Sequence, residues 1–326
     1  MKKNPRIFSL LLILFANVLE AKEPMPTHAR VSYGNDRAQF MDVYLVKSDK
    51  PTPVIIYIHG GAWTGGTAGG IMHTDVFGSN NQNGEGVQAV LDQGISVVAV
   101  EYRFITAALK AGVKPPVQWP LQDAARAVQF VRSKAKEWNV EKQLIGLTGS
   151  SAGGCSSLWL AMHSEMADLQ SGDPVAREST RPACVGVLDA QSSLDPMELK
   201  AWFKEARYGA HAFGVFKDTK HSVEEMNACL DARNEILPWI REYSPIASAS
   251  ADDPPTFLGY NKPPQPAGLP QMDSVHGAAH GMKLKETLDR LGVECHLAYP
   301  GAPDPKYRDH LDFIVKKLTL KRVDRK

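Results

Sequence analysis

The sequence predicts an α/β domain in which a mostly parallel sheet is covered by helices on both faces, with a helical insertion late in the chain. Two apolar runs that stop abruptly at glycine-rich turns carry this expectation, together with the alternation of such runs with helical patterns. Residues 144–148, Leu-Ile-Gly-Leu-Thr, end at Gly149-Ser150-Ser151-Ala152-Gly153, and residues 54–58, Val-Ile-Ile-Tyr-Ile, end at His59-Gly60-Gly61-Ala62-Trp63. Short apolar runs without polar alternation suit strands buried on both faces. Alternation with helices at this spacing gives crossover units and a parallel sheet.

Each element follows in chain order. Residues 30–33 and 41–46, split by Gly34-Asn35-Asp36, form an opening hairpin. The strand at 53–58 precedes a Gly- and Asn-rich loop over 65–85. A helix near 87–93 leads to the strand 95–103, written ISVVAVEYR, and a loop runs from there to Pro120. A helix over 121–138, the strand ending at Ser151 and a helix from Ser151 follow, then a buried strand at 184–188. Residues 195–250 break the rhythm. Their amphipathic stretches at 197–207 and 222–237, with Trp202, Tyr208, Phe213 and Trp239, are expected to form a helical cap at the carboxyl edge of the sheet. The sheet resumes at 255–260; a Pro- and Gly-rich loop to Gln271, a helix at 279–291, a strand at 294–299 and a last helix at 311–320 complete the chain.

A chain of 326 residues with 43% hydrophobic content suits one large α/β domain with an insertion. Thirty-seven basic against 36 acidic side chains leave a net charge of +1, so there is no electrostatic case for nucleic acid or an anionic membrane surface. Lys2, Lys3 and Arg6 precede an apolar core at 7–19 and Ala21 ends a cleavage triplet, the layout of a signal peptide over 1–21. The expected mature domain is then 22–326, secreted or periplasmic, with no stable membrane insertion after cleavage. Cys155, Cys184, Cys229 and Cys295 include no C-x-x-C pair, and three of them fall in or beside core elements, so they read as small buried thiols. His276 and His280 stand four apart but no third metal ligand accompanies them. There is no GKS/T phosphate loop and no G-x-G-x-x-G, so neither a metal nor a cofactor is expected.

The G-x-S-x-G turn presents its serine at the top of a sheet, beside a helix N-terminus whose free N–H groups face it. Attack by Ser151 on a carbonyl carbon leaves negative charge on oxygen. Preorganised backbone donors at that oxygen are worth about 3 kcal/mol each in the transition state. Gly60, Gly61 and Ala62 are positioned by sequence to supply them from the first turn, and Ala152 from the second.

At this point HGGAW followed by GSSAGG resembles the α/β-hydrolase esterases of the hormone-sensitive-lipase type and the related bacterial feruloyl and acetyl esterases. The likeness runs from about residue 31 to residue 318. It implies the doubly wound fold and serine hydrolase chemistry, and says little about substrate. The triad is expected in the order Ser, acid, His. Asp273, in the loop after strand 255–260, sits at nearly the spacing of the family's acid. The family's His-Gly pair past the final strand is missing here, where the chain reads Tyr299-Pro300-Gly301-Ala302-Pro303-Asp304. His163 lies twelve residues down the helix from Ser151, about 18 Å at helical rise, and is out of reach. His59 is expected to brace the oxyanion loop. His310, which keeps the family's chain order, is the first choice for the base. His276 is the alternative, with Asp304 replacing Asp273 as its partner.

The function expected is an exported serine esterase that cleaves short-chain or carbohydrate-linked acyl esters through an acyl-enzyme. Its partners would be small-molecule or polysaccharide-linked esters; the oligomeric state is not legible. An amidase or peptidase on the same fold is the nearest enzyme alternative. A binding protein that kept the fold but lost its base is the non-enzyme alternative.

Overall fold

The computed structural model describes residues 23–78, 85–215, 221–266 and 269–323. The expected signal segment at 1–21 lies outside them. The strand that opens the core, Thr52–Ile58, is buried at all seven positions, as an unalternated apolar run requires.

Among the described residues eight strands form one sheet. They are β1 (His28–Ser32), β2 (Phe40–Tyr44), β3 (Thr52–Ile58), β4 (Ser96–Val100), β5 (Val140–Ser150), β6 (Cys184–Leu188), β7 (Thr256–Gly259) and β8 (Cys295–Ala298), in spatial order β1-β2-β4-β3-β5-β6-β7-β8. The β1–β2 and β2–β4 pairs are antiparallel; every later pair is parallel. The helices are α1 (Glu85–Asp92), α2 (Ile105–Lys110), α3 (Gln118–Ser133), α4 (Ala135–Trp138), α5 (Ala152–Met162), α6 (Pro196–Trp202), α7 (Val223–Asp231), α8 (Arg233–Tyr243), α9 (Ala279–Arg290) and α10 (His310–Val323).

Side chains of the central strands alternate between two apolar layers, one on each face. Ile56, Ile58, Val98 and Val100 pack with Leu121 and Val128 of α3, Leu158 and Trp159 of α5, and Leu284 and Leu288 of α9. Ile55, Tyr57, Val97 and Ala99 pack with Val87 and Val90 of α1 and with Phe313, Ile314 and Leu318 of α10. This is the doubly covered sheet that the strand patterns imply. All four cysteines are buried, and among the described residues no disulfide joins them. Among the described residues no helix is long and apolar enough to cross a membrane.

Three local expectations change. The stretch expected as a loop from strand β4 to Pro120 contains α2. The helix expected over 121–138 starts earlier and is interrupted at Lys134, dividing it into α3 and α4. The insertion between β6 and β7 is helical, but α6 ends at Trp202, leaving Phe203 and the residues after it in irregular backbone. That irregular segment reaches the catalytic edge of the sheet.

The parallel registers align Ile58 with both Val100 and Gly149, so β3, β4 and β5 end together. Their ends meet through bare backbone. A Cβ on Gly149 would stand 2.5 Å from the Ile58 carbonyl oxygen, and one on Gly153 only 2.0 Å from it. Both sites therefore need glycine because another chain passes there, and Ser151 between them takes φ 55°, ψ −126°. A non-glycine residue in that region stores about 1–3 kcal/mol of strain that the surrounding packing must hold.

Gly153→Ala is predicted to destabilise the fold by about 3 kcal/mol or more, since backbone rather than a flexible side chain blocks the new methyl. Denaturant unfolding measures this; a midpoint close to wild type would mean that the turn relaxes freely.

Candidate active site

The strained turn carries Ser151 Oγ to the C-terminal edge of the sheet. Its backbone N–H donates to the Leu188 carbonyl at 3.1 Å, pinning the turn to the end of β6. Ala152 begins α5, so its N–H belongs to the first turn, where no intrahelical acceptor exists. Facing it is the loop after β3, in which Ala62 and Trp63 take φ of 55° and 57°. A Cβ placed on Gly60 would lie 3.5 Å from that of Ser151, so the two turns are in contact.

This loop is braced from behind. The His59 ring stacks on Tyr102, with centroids 4.2 Å apart and planes 13° from parallel. Its nitrogens lie 2.8 Å from the Gly60 carbonyl and 3.3 Å from Glu101 Oε1, while the Tyr102 hydroxyl donates to the His59 carbonyl at 2.8 Å. Trp63 Nε1 donates to Ser156 Oγ at 2.9 Å, tying the loop to α5. His59 thus braces the loop, as its sequence position suggests.

The histidine beside the serine is His276. Its Nε2 lies 3.0 Å from Ser151 Oγ. With the ring proton on Nδ1, the serine hydroxyl donates to Nε2, the arrangement that lets a base take the proton during attack.

The loop that presents His276, between β7 and α9, is tied down on several sides. Asp273 Oδ1 accepts the backbone N–H groups of Val275 and His276 at 3.0 and 2.9 Å. Gln191 Nε2 donates to the Val275 carbonyl at 2.5 Å, and Ser274 Oγ accepts the Arg207 N–H at 3.2 Å. His280 Nδ1 accepts the Ser192 N–H at 3.4 Å, so the proton of its neutral ring sits on Nε2 and is donated to the Ser274 carbonyl at 3.2 Å. His280 is a brace of this loop.

His310 is elsewhere. It is buried at the start of α10, with Nε2 2.8 Å from the Val76 carbonyl. The expectation that placed it first as base is corrected here: the segment 299–309 leads from β8 into α10 and packs His310 under the 3-10 turn at Asp75–Phe77.

The two expected acids are also occupied. Asp273 bonds the backbone of His276 rather than its ring, and its Oδ2 accepts from Lys262 at 3.1 Å. Burial raises its carboxyl, but the donors from His276, Lys262 and Val275 outweigh this and hold it below the usual range. Asp304 lies 2.7 Å from His296 Nδ1 and accepts backbone N–H groups of Lys306 and Tyr307. Pairing of Asp304 with His276 is therefore corrected too.

A third carboxylate was passed over. Asp189 follows β6 directly, in the left-handed region at φ 48°. Its oxygens accept from Asn261 N and Nδ2 at 2.9 and 2.8 Å. Burial raises its carboxyl, against Asn261 donation and the nearby charge of His276, which favour the ionised form. The sequence signal was available: an aspartate immediately past a buried strand, lying between Ser151 and His276 in chain order.

Eight strands in this order, a strained serine at the end of the fifth and a histidine on its hydroxyl define an α/β hydrolase. The chain belongs to the BD-FAE family, whose profile matches residues 41–262. It is 29% identical over 163 residues to a protein named esterase LipC from Mycobacterium tuberculosis (strain ATCC 25618 / H37Rv), an alignment covering 48% of this chain and 35% of that one. The chain thus spans about a third of that relative. Its fold is similar to an acetyl ester–xyloside bifunctional hydrolase from Caldicellulosiruptor lactoaceticus, with TM-score 0.59, 22% identity and coverage of 91% and 93%. A truncated carbohydrate esterase from gut microbiota gives TM-score 0.64 at 18% identity, with coverage of 92% and 99%.

Burial lowers the pKa of His211 to about 3 and those of His280 and His310 to about 4. The unfolded chain, with histidine pKa near 6.5, then binds more protons than the folded one below that pH, so stability is full above about 6.5 and falls as pH drops. The urea midpoint should decrease from pH 7 to pH 5; a flat or rising midpoint would show that these rings do not stay neutral.

Proposed function

We propose that this chain is a serine-dependent carboxylic-ester hydrolase. The 3.0 Å approach of His276 Nε2 to Ser151 Oγ, at a serine held at φ 55°, carries the reading. In this mechanism Ser151 Oγ attacks the ester carbonyl carbon while its proton passes to His276 Nε2. The carbonyl electron pair moves to oxygen, where N–H groups of Gly60, Gly61, Ala62 and Ala152 are proposed to receive it. Collapse returns the pair, breaks the bond to the alcohol and hands that alcohol the proton from His276. Water then repeats the sequence on the acyl-enzyme. Asp189 is the proposed acid, holding the His276 ring with its proton on Nδ1.

Short-chain acyl groups, carried on small alcohols or on carbohydrate, are the proposed substrates. The likeness to proteins described as an acetyl ester–xyloside hydrolase and a carbohydrate esterase supports this class. Export is proposed on the charged start and apolar core of residues 1–21. A base in contact with the serine favours the enzyme over a binding protein on this fold.

Labelling by a fluorophosphonate probe should modify Ser151, and Ser151→Ala should abolish p-nitrophenyl acetate hydrolysis while leaving stability within about 1 kcal/mol. Turnover retained in that variant would remove the nucleophile assignment. Asp189→Asn should lower turnover by about 10²-fold or more through loss of the correct tautomer, and Asp304→Asn by far less. The opposite ranking would move the acid off β6.

A further inference from the structure

Tyr208 brings a second protein hydroxyl to the nucleophile. It lies in the irregular backbone after α6, just before the 3-10 turn Ala210–Phe213, and is only 3% exposed. The hydroxyl lies against the Ser151 side chain, whose oxygen acts on it, but the pair falls short of hydrogen-bond geometry. Among the described residues the buried O–H has no hydrogen-bond partner. Leaving such a group unsatisfied is costly, a penalty that requires an explanation.

The ring cannot swing away to find water. It packs against both His211 and His221, with centroids 4.7 and 5.0 Å distant, and those two rings lie 4.5 Å from one another. His211 in turn lies 5.8 Å from Trp63, the residue that follows the glycine turn. Tyr208 therefore stands on the oxyanion-loop side of Ser151. A donor fixed in a water-poor place, and left without a hydrogen bond in the resting protein, is preorganised for an acceptor that arrives with the substrate.

We propose that the Tyr208 hydroxyl is a catalytic donor that hydrogen-bonds the oxyanion formed when Ser151 adds to the substrate carbonyl. The inference rests on the ester-hydrolase reading above. Ser151 Oγ forms the new bond to carbon, its proton goes to His276, and the carbonyl π pair becomes the oxyanion. Tyr208 donates a hydrogen bond to that oxygen and keeps its proton throughout, because burial disfavours its phenolate. When the oxyanion collapses, the hydrogen bond is released. Backbone N–H groups from two turns and a phenol from the insertion would then surround a single atom.

Tyr208→Phe tests this with three readouts in the intact chain. Because the hydroxyl is unpartnered in the resting protein, removing it should leave the melting temperature unchanged or raised. The kcat for p-nitrophenyl acetate should fall by about 10-fold or more with KM nearly constant, and affinity for a trifluoromethyl ketone, which forms a tetrahedral adduct on the serine, should fall by a similar factor. A kcat within twofold of wild type overturns the inference. So does a kcat loss with a lowered melting temperature and unchanged affinity for the ketone, which would mark Tyr208 as structural. Failure of the ester-hydrolase reading itself looks different, since the wild-type chain would then neither turn over the ester nor bind the ketone.

Discussion

The contact on which the site depends is between backbones: the turn around Ser151 against the last carbonyls of β3. With the Ile58 oxygen where it is, neither Gly149 nor Gly153 has room for a Cβ. That closeness sets the backbone of Ser151 at φ 55° and starts α5 at once behind it. It also brings the Gly60–Trp63 loop beside the serine, because β3 ends level with β5. The proposed nucleophile, the helix N-terminus behind it and the proposed oxyanion loop are thus one packing unit, and strain at the serine is held by the buried strands beneath it.

Around that unit the remaining groups come from the next strands in order. Ser151 follows β5, Asp189 follows β6, and the loop after β7 carries His276. The proposed triad keeps the chain order Ser, Asp, His but takes acid and base one strand earlier than the resemblance implies. The sheet permits this because β5, β6 and β7 are parallel neighbours whose carboxyl ends lie side by side. The segment after β8 is left with a structural task, the histidine that opens α10 being buried on the Val76 carbonyl.

Much of this was legible in the sequence because it is local. Apolar runs without alternation marked β3 and β5, and small residues around Ser151 marked the turn. The brace at His59 followed from its place before the glycines. The base was harder, since the sequence places His310 and His276 alike in loops at the right edge, and only the path of each segment decides between them. Asp273 misled because it sits in the loop after β7 at nearly the spacing of the family's acid, yet there it bonds the backbone N–H of His276 and shapes the turn. Tyr208 gave no signal of its own, because its nearness to Ser151 arises where α6 stops and the insertion folds back.

The claim at the centre of this account is that the base comes from the loop after β7. Turnover of p-nitrophenyl acetate by His276→Ala and His310→Ala, each compared with wild type, tests it most directly. The account predicts a loss on the order of 10³-fold for His276→Ala, and a change of only a few-fold for folded His310→Ala. Near-normal turnover in His276→Ala beside a collapse in His310→Ala would contradict it.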